Sequence, residues 1–122
     1  MLQSLPKNER LYGKTAIAGL LAKGRFGHEG CLKFCWLLRD GEEPRTNRVM
    51  VSVSKKFFKR AVKRNLLKRR MREAYRRQKN LVSPGSGLDL LLSFNSKEPA
   101  TYDQIYSDVE RILLYLKGKT DN

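Results

Sequence analysis

The stretch KKFFKRAVKRNLLKRRMREAYRRQK, residues 55–79, decides the fold. It contains neither Gly nor Pro and is rich in good helix formers, so it predicts the longest helix of the chain. The segment SPGSG at 83–87 predicts where that element ends. Because each element must bury an apolar face, a long helix between short apolar segments indicates helices packed on a sheet.

The segments around this helix predict three strands and two further helices. CLKFCWLL at 31–38 and RVMVSVS at 48–54 have strand composition and period-2 alternation. We expect them to form a hairpin, with 42–47 as the connecting turn. LDLLLSF at 88–94 predicts a buried strand. Apolar spacing predicts one helix ending near Gly24 and another opening at Thr101.

The expected element order is therefore α-β-β-α-β-α, in an α/β (α+β) two-layer sandwich with a small mixed sheet. A chain of 122 residues suits one domain, here 1–122. Residues 1–10 are expected to form an irregular entry segment, and 118–122 a disordered tail.

The charge balance points to a polyanionic partner. The chain has 26 Lys+Arg against 12 Asp+Glu, a net charge of +14, which repels itself in a compact fold. No apolar run approaches the roughly 20 residues of a membrane span, and no signal peptide opens the sequence. We expect a cytoplasmic protein with no membrane partner.

Half of these cations lie in the central helix. Residues 55–79 hold 13 of the 26 basic residues, and Glu73 is their only acid. At 100° per residue, one arc is apolar and the opposite arc is cationic. The apolar arc contains Phe57, Ala61, Leu67, Met71, Ala74 and Tyr75. The cationic arc contains Asn65, Arg69, Arg72 and Arg76, with Lys68 at its edge. A merely solvated face normally interleaves acids with its cations, so this face favours nucleic-acid binding.

The cysteine and histidine content argues against catalysis by the protein. Cys31 and Cys35 lie four apart in a strand, which predicts one face and a separation of about 13 Å, too far for a disulfide. We expect free, buried or half-buried thiols. His28 is the only histidine, so neither a zinc site nor a catalytic constellation is expected, and no catalytic residue is predicted.

The residue order resembles one family. AVKRNLLKRRMREAY at 61–75, after SVSKK at 52–56, closely resembles the signature of the bacterial ribonuclease P protein family, approximately A-V-x-R-N-R-x-K-R-x-x-R-E. The segment from Leu5 to Gly24 resembles the family's entry segment. Leu66 departs from the pattern, because the family usually has Arg there.

This resemblance implies the accessory subunit of a ribonucleoprotein endoribonuclease that removes the 5′ leader of precursor tRNA. The phosphodiester chemistry would belong to a catalytic RNA with bound magnesium, and the protein itself would bind no cofactor. The implied partners are ribonuclease P RNA and precursor tRNA, with the protein monomeric within the holoenzyme. A left-handed β-α-β crossover is also implied.

The resemblance further implies two RNA-binding surfaces. The catalytic-RNA surface would consist of Arg60, Lys63, Arg64, Asn65, Lys68, Arg69, Arg72 and Arg76. The leader would lie in a cleft between the sheet and the first helix, near Lys55 and Lys56. Phe34 and Trp36 are candidate stacking platforms there, with core packing as the alternative, and Tyr12 and Ile17 carry the same ambiguity.

Two other classes explain part of the sequence. A ribosomal or other structural RNA-binding protein would have the same charge and size, but that class does not explain the residue order. A DNA-binding protein would also use a basic helix, yet no dimerisation heptad or helix-turn-helix spacing accompanies this one.

Overall fold

A computed structural model describes residues 5–39 and 46–120 of the chain. Within them lie three α-helices and four strands, with one 3-10 turn before this series at Lys7–Glu9 and another within it at Lys79–Leu81. The bounds are α1 (Lys14–Lys23), β1 (Arg25–Glu29), β2 (Leu32–Leu38), β3 (Arg48–Val53), α2 (Ala61–Gln78), β4 (Leu88–Phe94) and α3 (Tyr102–Thr120). None of these helices is both long and apolar enough to cross a membrane.

β4 lies inside a mixed sheet of order β1-β2-β4-β3. It runs antiparallel to β2 and parallel to β3. The predicted hairpin between β2 and β3 is therefore wrong, because β4 separates them. The physical reason is that β4 is covered on both faces: Leu90 and Leu92 are fully buried in the main core, and Leu91 on the other face packs against the cluster under α1. Such a strand belongs in the middle of a sheet. The mixed sheet with packed helices is confirmed.

β1 is the strand that the sequence pattern did not predict. It pairs antiparallel with β2, from Arg25 opposite Trp36 to Glu29 opposite Leu32. Its sequence, RFGHE, is short and polar and therefore gives a weak strand signal. Gly27 lets β1 cross the ring of Phe34, since a Cβ at this position would lie 2.4 Å from Phe34 Cζ.

The two faces of the sheet are covered unequally. α2 and α3 cover one face and form the main core with residues such as Phe34, Val51 and Leu92. α1 covers part of the other face, where Leu20 packs on Cys35. β3, α2 and β4 form a parallel crossover unit. The handedness of this unit stays a prediction from the family.

The two cysteines lie on opposite faces, so the prediction of a shared face is wrong. Cys31 precedes β2 and packs on the main core, whereas Cys35 lies under α1. Both thiols are free. Burial, reinforced by hydrogen bonding to Asp108, raises the pKa of Cys31 to about 12.

Three element ends differ from expectation or lie outside the described residues. α2 begins at Ala61 rather than 55, because the Ser54 carbonyl accepts the N–H groups of Phe57 and Phe58 in a turn. With 18 residues against 19 in α3, it is not the longest helix, so that prediction is wrong. α3 continues to Thr120, past the expected start of a tail at 118, while 121–122 lie outside the described residues. Residues 42–45 of the predicted connecting turn also lie outside them. Gly24 ends α1 as predicted.

A buried carboxylate holds the β1–β2 turn against α3. Asp108 Oδ2 accepts the backbone N–H and the thiol of Cys31, each at 3.0 Å. Gly30 stands beside it with φ +55°, and a Cβ there would lie 2.3 Å from Asp108 Oδ1. The carboxylate therefore satisfies the Cys31 N–H, which is a hydrogen-bond donor in a turn that packs against α3.

We expect Asp108→Ala to lower the free energy of unfolding by about 1–3 kcal/mol, because it leaves the Cys31 N–H unsatisfied. Urea denaturation measures this change. Glu110→Ala, an exposed acid on the same helix, is the matched control and should change stability little. Equal unfolding midpoints for the two variants would contradict the assigned role of Asp108.

Candidate nucleic-acid interface

The packing of α2 fixes which of its side chains face solvent. The buried side consists of Leu67, Met71, Ala74, Tyr75 and Gln78. Asn65, Arg69 and Arg72 lie on the opposite side and are exposed. The predicted core arc is therefore right from Leu67 onward. Phe57 precedes the helix and packs, half-buried, against the main core. The predicted arc is wrong for Ala61, which is exposed.

The structure brings five of the predicted residues onto one arc of α2, which we call the basic face: Asn65, Lys68, Arg69, Arg72 and Arg76. Their spacing of three and four residues places them along about 16 Å of helix. Within the described ranges, the side chains of Asn65, Lys68, Arg69 and Arg72 have no hydrogen bond or ion pair with the protein. These groups are available to a ligand.

The other three predicted residues occupy the N-terminal end of α2. Arg60 and Lys63 are exposed there. Arg64 instead turns back and donates to the carbonyls of Phe58 and Lys59, at 2.8 and 2.6 Å. Arg64 therefore fixes the turn that leads into the helix, and its charge stays at this end of the surface.

Glu73 neutralises part of the basic face. It accepts hydrogen bonds from Arg76 Nε at 3.2 Å and from Arg77 Nε at 2.9 Å. Arg76 first, and then Arg77, hold the pKa of Glu73 below its ordinary value, so the carboxylate stays charged at neutral pH. The positive charge of Arg76 is therefore already partly neutralised by Glu73 before any ligand binds.

Leu66 lies about 100° around the helix from Asn65. It is 41% exposed and follows Val62, which is 80% exposed, by one helical turn. The position at which the family usually has Arg therefore presents an apolar side chain to solvent. Two neighbouring cations are candidates to replace it: Lys63, one turn before Leu66, is exposed, whereas Arg70, one turn after it, donates to the Ala100 carbonyl at 2.6 Å.

A cleft of about 890 Å³ opens between the basic face and the N-terminal segment 5–12. One wall is apolar and is formed by Leu5, Leu11, Val49, Met50 and Val51. The other wall is polar and is formed by Asn65, Arg69, Arg72, Glu73 and Arg76. Lys7, Arg10 and Tyr12 complete the lining, and Tyr12 is 65% exposed.

The N-terminal segment 5–12, which contributes Leu5 and Leu11 to the apolar wall, is held in place by contacts with β3 and with the end of α2. The Leu11 N–H donates to the Val49 carbonyl at 2.9 Å, so the segment follows the edge of β3. Glu9 forms an ion pair with Lys79 at 2.8 Å, which joins it to the end of α2. Arg10 closes the bend with two hydrogen bonds to the Leu5 carbonyl. The cleft is therefore preformed.

A second surface lies on the sheet face that α1 leaves uncovered. The strand register places His28, Lys33, Ser93 and Ser52 in one row across the four strands, which we call the polar row. Ser52 Oγ lies 3.0 Å from Ser93 Oγ, and both Lys33 and His28 are exposed. The row ends beside the turn after β3.

Lys55 and Lys56 lie in that turn and are exposed. The Lys56 N–H donates to Ser54 Oγ at 3.0 Å, which orders the backbone and leaves both ammonium groups in solvent. The two predicted lysines are thus continuous with the polar row rather than with the basic face.

Phe34 and Trp36 do not lie on this surface. Each is 7% exposed and packs edge-on against Tyr115 of α3, at 6.0 and 6.4 Å between ring centroids. They are core residues, which is the alternative that the sequence left open. Their burial leaves neither ring available as a stacking platform. A free ring face is required for base stacking, and theirs face the core.

The exposed ring on the open face belongs to Phe26, which sequence reasoning missed. Phe26 is 68% exposed and pairs with Cys35, next to the polar row. Phe26 and His28 alternate around Gly27, and this short period-2 pattern was the available signal. The residues described here include no group of three His, Cys, Asp or Glu side chains that could hold a metal ion.

Comparison with known proteins identifies related chains. A family model described as Ribonuclease P matches residues 5–117. The ribonuclease P protein component of Picosynechococcus sp. is 33% identical over 110 residues, which are 90% of this chain and 91% of that protein. The same component of Porphyromonas gingivalis is 39% identical over 79 residues, 65% of this chain, so the chain spans 58% of that relative.

A solved structure shares the fold. The RNase P protein of Staphylococcus aureus superposes with a TM-score of 0.74 at 24% sequence identity, covering 93% of this chain and 98% of that one. At 24% sequence identity, this similarity shows that the two proteins share the arrangement of helices and strands.

We expect Glu73→Gln to strengthen binding of a structured RNA by roughly two- to eightfold near 0.1 M salt, because it releases Arg76 and Arg77 for phosphate contacts. Filter binding at several salt concentrations measures the change. Glu110→Gln removes the same charge from an exposed position on α3 and controls for net charge. Equal gains from the two variants would mean that Glu73 acts only through overall charge.

Proposed function

This chain belongs to the ribonuclease P protein family, and on that premise we propose that it is the protein subunit of a ribonuclease P holoenzyme. The holoenzyme is an endoribonuclease that cuts precursor tRNA to give the mature 5′ end. The RNA subunit and its magnesium ions perform the phosphodiester cleavage, and the protein binds RNA. The observation that carries the proposal is the row of unpaired cations on the basic face.

The basic face binds the catalytic RNA. Lys68, Arg69 and Arg72 have no protein partner in the described ranges, so each can neutralise a phosphate and release condensed counterions. The guanidinium groups meet phosphates in bidentate geometry, and the amide of Asn65 adds a directional donor and acceptor. Arg60 and Lys63 extend the same contact beyond the start of the helix.

The polar row binds the single-stranded leader. Lys33, with Lys55 and Lys56 at the end of the row, offers ammonium groups to successive phosphates. Phe26 offers an exposed ring on which one base can stack. A single strand needs this combination of a charged track and an aromatic platform. The two RNAs thus meet the protein on different elements.

The remaining features of the proposal follow from these surfaces. The protein is monomeric within the holoenzyme and acts in the cytoplasm. It needs no cofactor of its own. Its positive charge substitutes for part of the counterions that two RNAs require when they approach each other. The benefit of the protein is therefore largest when magnesium is scarce.

We expect the protein to stimulate release of the 5′ leader by the ribonuclease P RNA of the same organism most strongly at low magnesium, with the stimulation shrinking as magnesium rises. Gel analysis of labelled precursor tRNA measures it. Mature tRNA, which has no leader, serves as the uncut control. A structural RNA-binding protein would bind the RNA without increasing cleavage, and that result would overturn the proposal.

We expect the two surfaces to separate by mutation. Arg69→Ala should weaken binding of the catalytic RNA several-fold, because it removes one phosphate contact. Lys55→Ala should leave that affinity unchanged and instead weaken holoenzyme binding of precursor tRNA relative to mature tRNA. Titration of each RNA measures both effects, with Lys117→Ala on α3 as the surface-charge control. Identical profiles for the first two variants would contradict two separate surfaces.

A further inference from the structure

The cleft between the N-terminal segment and α2 has two walls of opposite character. Leu11, Val49 and Val51 contribute to the apolar wall, and Arg69 and Arg72 contribute to the polar wall. Its volume of about 890 Å³ is within the roughly 300–1,000 Å³ of pockets that hold small organic groups. Phosphate binding by a basic helix alone would not need the apolar wall.

Tyr12 stands at the mouth of the cleft. It lines the cleft and is 65% exposed, so much of its ring is open to solvent. Among the described residues, its ring stacks on no other aromatic ring, unlike Tyr102, Tyr106 and Tyr115, which pack on neighbouring rings. An exposed aromatic ring beside guanidinium groups is the combination that holds an unstacked base and its phosphate.

The electrostatics of the cleft favour an anionic ligand. Among the described residues that line the cleft, Glu73 is the only acid, and its charge is already paired with Arg76 and Arg77. Arg69 and Arg72 stay free on the same wall. The Glu9–Lys79 ion pair holds the N-terminal segment to the end of α2, and the Leu11–Val49 hydrogen bond holds it to β3, so the cleft is present without a ligand. Binding therefore requires little reorganisation of the chain.

We propose that this cleft holds a single unstacked nucleotide of the catalytic RNA, with its base against Tyr12 and the apolar wall and its phosphate on Arg69 and Arg72. This inference rests on the proposed function. It adds a contact between the protein and one RNA nucleotide that lies outside the base-paired RNA helices. The amide of Asn65, which also lines the cleft, faces the edge of such a base and contributes preference among bases. The protein would then recognise one bulged or looped position and not only charge.

The first test measures the affinity of the catalytic RNA, without precursor tRNA, for Tyr12→Ala and Tyr12→Phe. Loss of the ring should weaken binding by about five- to 150-fold, and Tyr12→Phe should stay within about twofold of the wild type. The salt dependence of binding should not change in Tyr12→Ala, because no phosphate contact is lost. Leu114→Ala, a similarly exposed side chain on α3, is the control for loss of apolar surface.

The second test maps base reactivity in the RNA with dimethyl sulfate and a carbodiimide. The wild-type protein should change reactivity at one unpaired nucleotide, and Tyr12→Ala should lose that change while the rest of the footprint persists. If the wild-type protein binds and Tyr12→Ala gives the same affinity and footprint, the cleft inference is overturned and the proposed function stands. If the wild-type protein fails to bind the catalytic RNA, the proposed function itself fails.

A third arm adds precursor tRNAs with and without a leader to the holoenzyme. The cleft inference predicts that Tyr12→Ala weakens assembly of protein with catalytic RNA and leaves the ratio of affinities for the two tRNAs unchanged. A defect seen only with the leader-containing precursor would assign the nucleotide to the leader, and that result would overturn the assignment made here.

Discussion

The burial of one side of α2 against the sheet determines where the positive charge of this protein is presented. Leu67, Met71 and Ala74 are each at most 2% exposed, and apolar contacts of this kind stabilise by about 1.5–3 kcal/mol for a large side chain. Rotation of the helix by about a third of a turn would bring the Arg72 guanidinium into the core, at a far higher free-energy cost. The core therefore sets the direction of Arg69 and Arg72.

Three acids of the described chain hold its structure. Asp89, which is 3% exposed, accepts two hydrogen bonds from Arg48 at 2.8 Å and joins the ends of β3 and β4. Asp108 holds the β1–β2 turn, and Glu9 ties the entry segment to α2. Because these carboxylates are engaged internally, they do not screen the basic face. Only Glu73 touches it, and there it sets the charge available to a ligand.

The sequence predicted best where one periodicity dominates over a long segment. α2, α3 and β4 and the arc of Asn65, Arg69 and Arg72 follow from apolar spacing, because packing enforces it. The order of the strands in the sheet could not be predicted in this way, because the central position of β4 depends on how buried it is relative to the other strands. β1 was missed because its pairing with β2 stabilises it, whereas its own composition gives a weak strand signal. The cleft and the open ring of Phe26 arise from contacts between segments distant in sequence, which spacing within one segment cannot encode.

The central claim is that the basic face contacts RNA phosphates directly, and the salt dependence of binding to the catalytic RNA tests it most directly. The slope of log K against log salt counts the phosphate contacts, at about 0.7–0.9 for each. The account predicts that replacing Lys68, Arg69 and Arg72 together by Gln reduces the slope by about 2–3, with the fold intact by circular dichroism. An unchanged slope in that variant would contradict it.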